Sequence, residues 1–144
     1  MRFFMPALTP PLCPLPLFLD PVRGGFPSPA QDYVERQLDL NELLVAHPSA
    51  TYFVRVEGDS MRDANIGQGD ILVVDSSLHA KHDDIVIAAI NGEFTVKRLQ
   101  TAPRVQLVPM NPRYQPITLG EEEELEIFGV VTFIIYAAHV HRSA

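Results

Sequence analysis

The chain has 144 residues, a length that fits one domain able to bury roughly two thirds of its unfolded surface. Its 18 acidic and 11 basic residues leave a formal charge of −7, which argues against a large nucleic-acid footprint because phosphate binding needs a concentrated basic face. Cys13 is the sole cysteine, so no internal disulfide forms, as expected of a protein of the reducing cytoplasm.

Residues 1–30 hold eight of the 13 prolines and only Arg2, Asp20 and Arg23 as charges. This predicts an extended arm with little regular structure, followed by a β-rich domain over 31–144. The arm's apolar side chains, Phe3, Phe4, Leu15, Leu17 and Phe18 among them, are expected to lie on the domain or on a partner subunit. Pro6, Pro10, Pro11, Pro14 and Pro16 break the apolar stretch 1–19, and each removes an amide donor and clashes with the preceding helical turn. A secretory signal or membrane anchor is therefore not expected. No later run reaches the ~18 apolar residues of a span.

From Pro29 to about His47 the pattern turns helical. Asp39 is a candidate helix cap with Glu42 three residues on. Leu40, Leu43 and Leu44 form one apolar face, Val34 and Leu38 suggest an earlier turn or short helix, and Pro48 ends the segment. Beyond Pro48 the reading is strand: Tyr52, Val54 and Val56 alternating with Phe53, Arg55 and Glu57, then 71–75, 84–90, 93–99, 104–108 and 125–138. Asn91-Gly92 between two strand runs signals a hairpin, Gly67 and Gly69 mark another turn, and Glu121–Glu124 reads as a solvated loop. The fold expected is mostly β and antiparallel, with a short helical segment and an extended N-terminal arm.

One constellation points to chemistry. Gly58, Asp59, Ser60 and Met61 fall where one strand ends and before another begins, so Ser60 is placed on a turn with its amide free to meet a carbonyl. A serine hydroxyl needs a base to act as a nucleophile near neutrality. None of the histidines holds an attractive position: His47 ends the helical segment, His79 and His82 fall in a loop, and His139 and His141 in the tail. A neutral lysine is the alternative. Lys97 stands within the strand Glu93–Leu99, sharing a face with Thr95 and Leu99. Desolvation there disfavours the ammonium; a shift of about three units costs about 4 kcal/mol, which a fold sustains only where something depends on it. The plain alternatives are that Ser60 is a turn former and Lys97 a snorkelling surface residue. The histidine pairs lack cysteine or carboxylate partners at suitable spacing, so neither a metal nor a cofactor is expected.

Gly58–Met61 with Ile66, Gly69 and Asp70 resembles the nucleophile motif of LexA-type peptidases, and Glu93–Lys97 resembles their lysine strand. Signal peptidases share the serine-methionine pair. Gly25–Pro29, Asp39–Asn41, His47–Phe53, Val108–Asn111 and Phe128–Val131 extend the resemblance, in its UmuD branch, over almost the whole chain; residues 1–23 match weakly. The resemblance implies a homodimer with a LexA/UmuD-type peptidase β domain, Ser60 as nucleophile, Lys97 as general base, and the backbone amides of Ser60 and Met61 as oxyanion donors. It implies removal of the N-terminal arm between Gly24 and Gly25 when a RecA nucleoprotein filament on single-stranded DNA stimulates the protein. Cutting can occur within a subunit or on a neighbour. The shortened form then joins a UmuC-like Y-family DNA polymerase as accessory subunit for error-prone translesion synthesis in the SOS response.

Gly24 departs from the family, which usually has alanine or cysteine there. One methyl less of burial is worth about 0.8 kcal/mol and the freer backbone up to ~1 kcal/mol, so slower cutting is expected. LexA-like repressors carry a helix-turn-helix domain ahead of their cleavage site; here 24 proline-rich residues precede it, and direct sequence-specific DNA binding is not expected. Removing residues 1–24 takes away two bases and one acid and moves the charge from −7 to −8, so the arm works by covering surface, not by charge. Two rival readings share these residues. One is a non-catalytic dimeric polymerase adaptor with a vestigial dyad. The other is a signal-peptidase-like protease, which would need a membrane anchor.

Overall fold

In the computed structural model, residues 2–6, 14–18, 34–119 and 125–139 are described. Strands β1 (Arg2–Phe4), β2 (Pro14–Phe18) and β3 (Val34–Asp39) lead into helix α1 (Leu40–Leu44) and a 3-10 turn at Pro48–Ala50. Then come β4 (Thr51–Arg55), a 3-10 turn at Arg62–Ala64, β5 (Ile71–Asp75), β6 (Ile85–Ile90), β7 (Glu93–Gln100), β8 (Gln106–Val108), β9 (Ile117–Thr118) and β10 (Leu125–Ile135). Eight strands form one sheet in the order β1-β4-β5-β10-β6-β7-β8-β9, and β2 pairs with β3 alone. Every pairing is antiparallel. The mostly antiparallel β architecture expected from the sequence is the one observed.

The central strands are buried on both faces, which is why β5 and β6 read as near-continuous runs of Ile, Val, Leu and Ala instead of alternating. One core cluster gathers Val54, Val56, Met61, Ile66, Leu72, Val74, Ile87 and Val96; a second gathers Val86, Ala88, Leu99, Leu107 and Val130. The sheet curls strongly. Four strands separate β1 from β7 in the order, yet the Phe3 and Phe94 rings lie 5.1 Å apart edge to face, and Phe94 meets Phe128 at 4.9 Å. The β6–β7 hairpin closes through Asn91 and Gly92, both at positive φ (51° and 85°), as a twist-matched two-residue turn demands.

Several expectations change. Val34–Asp39 is a strand, not a helical turn, because its backbone pairs with Pro14–Phe18. Two stretches of the predicted arm are therefore strands, with Pro14 and Pro16 inside β2, an edge position that proline tolerates. The helix shrinks to five residues: Asp39 caps it by accepting from the Asn41 N–H at 2.9 Å, and Leu40 and Leu43 face outward. The strand expected at 104–108 starts at Gln106 and the one at 125–138 ends at Ile135. The predicted loop 121–124 lies outside the described residues.

A polar staple joins the segment after α1 to the sheet. The Asp75 carboxylate is buried, and takes the His47 ring nitrogen Nδ1 at 2.6 Å, the Ser77 N–H at 2.9 Å and the Ser77 hydroxyl. Burial pushes its pKa up, but the bonds from His47 and Ser77 outweigh that and leave it below the ordinary carboxylate value. Stability gained this way is present above the unfolded pKa and is lost as pH falls through the folded one. Asp75→Asn is expected to lower the urea-measured stability at neutral pH by about 1–3 kcal/mol, with the gap to wild type closing as the acid range is entered.

Candidate active site

The nucleophile turn is built by short-range geometry. Val56 leaves β4 tied to the next turn, its N–H donating to the Asp70 carbonyl and its carbonyl accepting from the Gly69 N–H, each at 2.9 Å. Gly58 adopts φ 86°, a conformation costly for any residue with a Cβ. The chain then carries Asp59 and Ser60 to the mouth of a cleft before Met61 plunges into the core. The cleft encloses about 330 Å³, and Gly58, Asp59, Ser60, Phe94, Lys97 and Tyr114 line it.

β7 supplies the other wall. Lys97 Nζ lies 3.1 Å from Ser60 Oγ, 2.6 Å from Thr95 Oγ1 and 3.1 Å from the Val96 carbonyl. Period-two alternation places Thr95 and Lys97 on one face, as read from the sequence, and Val96 turns into the core. Lys97 is only 9 % exposed, so it is not a snorkelling surface residue. Burial pushes its pKa below the usual lysine range. The residues singled out as nucleophile and base are thus brought within hydrogen-bond reach across 37 positions of sequence. Among the described residues, the N–H groups of Ser60 and Met61 donate to no backbone carbonyl. Gly24 and Gly25 lie outside the described residues.

A loop that the sequence did not single out for the site holds the turn from behind. The Met110 N–H donates to the Ser60 carbonyl at 2.8 Å, and the Asp63 N–H donates to the Met110 carbonyl at 2.6 Å. Asn111 Nδ2 donates to the Asp59 carbonyl at 2.9 Å, and the Tyr114 hydroxyl donates to Asp59 Oδ1 at 2.5 Å. Asn111 is 3 % exposed, and a buried amide must find polar partners; the Val108–Asn111 resemblance marked this loop in the sequence without assigning it to the site.

His47 bonds Asp75, His82 Nδ1 accepts from the Thr101 N–H at 2.9 Å, and among the described residues no histidine lines the cleft. Among the described residues no three His, Cys, Asp or Glu side chains are grouped to hold a metal ion, and no helix is long and apolar enough to cross a membrane.

Known proteins are similar to this one over most of the chain. The profile of the family described as Peptidase S24-like matches residues 16–132. Protein SamA of Salmonella typhimurium (strain LT2) is 51% identical over 121 residues, 84% of each chain. Protein MucA of Escherichia coli is 52% identical over 119 residues, 82% of each chain. The LexA repressor of Bordetella avium is 35% identical over 141 residues, 94% of this chain and 66% of the repressor. With more than half its length matched by the family profile, the chain belongs to the Peptidase S24-like family.

Proposed function

We propose that this protein is a serine endopeptidase acting on itself, with Ser60 as nucleophile and Lys97 as general base, and that it removes its own arm at Gly24-Gly25. The 3.1 Å contact between a buried lysine amine and a serine hydroxyl carries this proposal. A neutral lysine amine has two N–H donors and one lone pair. The Val96 carbonyl can only accept, so it takes one N–H; Thr95 Oγ1 takes the other. The lone pair is left facing Ser60 Oγ–H.

The Gly24 carbonyl carbon is attacked by Ser60 Oγ as the hydroxyl proton passes to Lys97 Nζ. The oxyanion of the tetrahedral intermediate is met by the N–H groups of Ser60 and Met61. Collapse breaks the peptide C–N bond, and the Gly25 amine leaves with the proton from Lys97. A water, deprotonated by Lys97, then attacks the Ser60 ester and releases a Gly24 carboxylate. In the resting chain the barrier is delivery of the arm to the cleft, and RecA assembled on single-stranded DNA acts by favouring the cleavable arrangement.

On its resemblance to UmuD-type proteins, the shortened form is a cytoplasmic homodimer that serves a Y-family translesion polymerase in SOS mutagenesis. Intact-mass measurement of the full chain after alkaline incubation tests the proposal. A fragment starting at Gly25 is expected. Its absence there, and again with RecA, nucleotide and single-stranded DNA, would favour the adaptor with a vestigial dyad. In the same measurement Gly24→Ala is expected to cut up to roughly twentyfold faster than wild type, from the restored methyl burial and the stiffer backbone; equal rates would discard that account of Gly24.

A further inference from the structure

We propose that Tyr114 is a positioning residue that anchors the Asp59 carboxylate away from Lys97 and the oxyanion position, a role that rests on the self-cleavage reading above. Asp59 is the residue immediately before Ser60, and its side chain lines the same cleft as Lys97. Among the described residues, the titratable groups lining that cleft are Glu57, Asp59, Tyr114 and Lys97; across β7, β6 presents Val86 opposite Lys97. A carboxylate free to swing in this space would favour the lysine ammonium and repel a developing oxyanion. Both effects oppose the proposed reaction.

Two bonds prevent the swing. The Tyr114 hydroxyl donates to Asp59 Oδ1, and Asn111 Nδ2 donates to the Asp59 carbonyl, fixing side chain and backbone of one residue from one loop. The Tyr114 N–H donates to the Asn111 carbonyl at 3.0 Å, so the two anchors move together. The hydrogen bond to Asp59, and then its charge, push the Tyr114 phenol above its ordinary pKa, while burial moves Lys97 below its own. Loss of the donor proton on Tyr114 is thus moved up in pH and neutralisation of Lys97 is moved down.

The chain makes the test clean, because Lys81 and Lys97 are its only lysines. The midpoint of Lys97 is read from its ¹³Cε chemical shift in full-length Ser60→Ala protein, which cannot cut itself, with exposed Lys81 as internal reference. Adding Tyr114→Phe removes one half-exposed hydroxyl and keeps the ring. It is expected to raise the Lys97 midpoint by about 0.5 pH or more, and adding Asp59→Asn is expected to bring it back. With Ser60 intact, Tyr114→Phe should cut about threefold slower below the midpoint and regain that loss with Asp59→Asn. A purely structural tyrosine would give no rescue by removing a charge. An unmoved Lys97 midpoint overturns the proposal whether or not the chain cuts itself. A midpoint that moves and returns, in a protein whose Ser60 form never cuts, sinks the self-cleavage reading and leaves the Tyr114–Asp59 anchor standing.

Discussion

Ser60→Ala is expected to lower the rate of arm removal by on the order of 10⁴-fold or more, and Lys97→Ala by at least about 10²-fold, because one deletes the attacking oxygen and the other its base. The two losses should not add. On the proposed mechanism Ser60 and Lys97 act on one proton through their one contact, so the double variant should resemble Ser60→Ala alone. The pH dependence comes from burial. Below its folded pKa Lys97 is an ammonium with no lone pair, and the rate should climb as pH rises through that value and then level off. Burial places the climb below the usual lysine range. Intact mass against time, for wild type and the variants from neutrality to alkaline pH, checks all of this. A wild-type rate flat in pH, or a Lys97→Ala rate equal to wild type, would remove Lys97 from the base role.

Gly129→Ala should be the most damaging single methyl in the fold. β10 shifts register between Ile127 and Gly129, and beyond the shift Gly129 lies opposite Ile87 of β6. A Cβ there would sit 2.5 Å from Val74 Cγ1 and 3.2 Å from the Asp75 carbonyl oxygen. Neither neighbour can give way cheaply. Val74 is 1% exposed and β-branched, with its rotamer set by the core, and the Asp75 oxygen belongs to backbone at the end of β5. Overpacking of this kind costs about 1–3 kcal/mol, and backbone as one of the struck groups argues for the upper part of that range. The urea midpoint should drop with the slope unchanged; a midpoint within error of wild type would mean that β10 can move away from β5.

The strands β4 to β7 were legible because their information is local. Ile71–Asp75 and Ile85–Ile90 are apolar runs of strand length, and Asn91-Gly92 dictates its own turn. Lys97 was legible for a similar reason, since alternation along one strand fixes its face. What escaped depends on pairing across the chain. Val34–Asp39 carries a helix-compatible pattern, and only a partner some twenty residues upstream makes it a strand. The Asn111 and Tyr114 bonds to Asp59 span more than fifty positions, and nothing in the spacing of those residues announces them. Gly129 entered the sequence reading only within the Phe128–Val131 resemblance, which says nothing of the Val74 and Asp75 atoms that a Cβ there would strike.

The strand pairings of β1 and β2 would govern where the severed arm goes after the proposed cut between residues 24 and 25. Both strands precede that bond. They meet the rest of the fold through three register pairs with β4 and five with β3. While the chain is continuous, a short tether holds such segments near their partners at an effective concentration that reaches millimolar. Once the tether is severed, the same contacts must hold a free peptide at whatever concentration the solution offers. Dilution then decides its fate: the more dilute the protein, the more completely the released segment departs, and the bare edge of β4 is left in its wake.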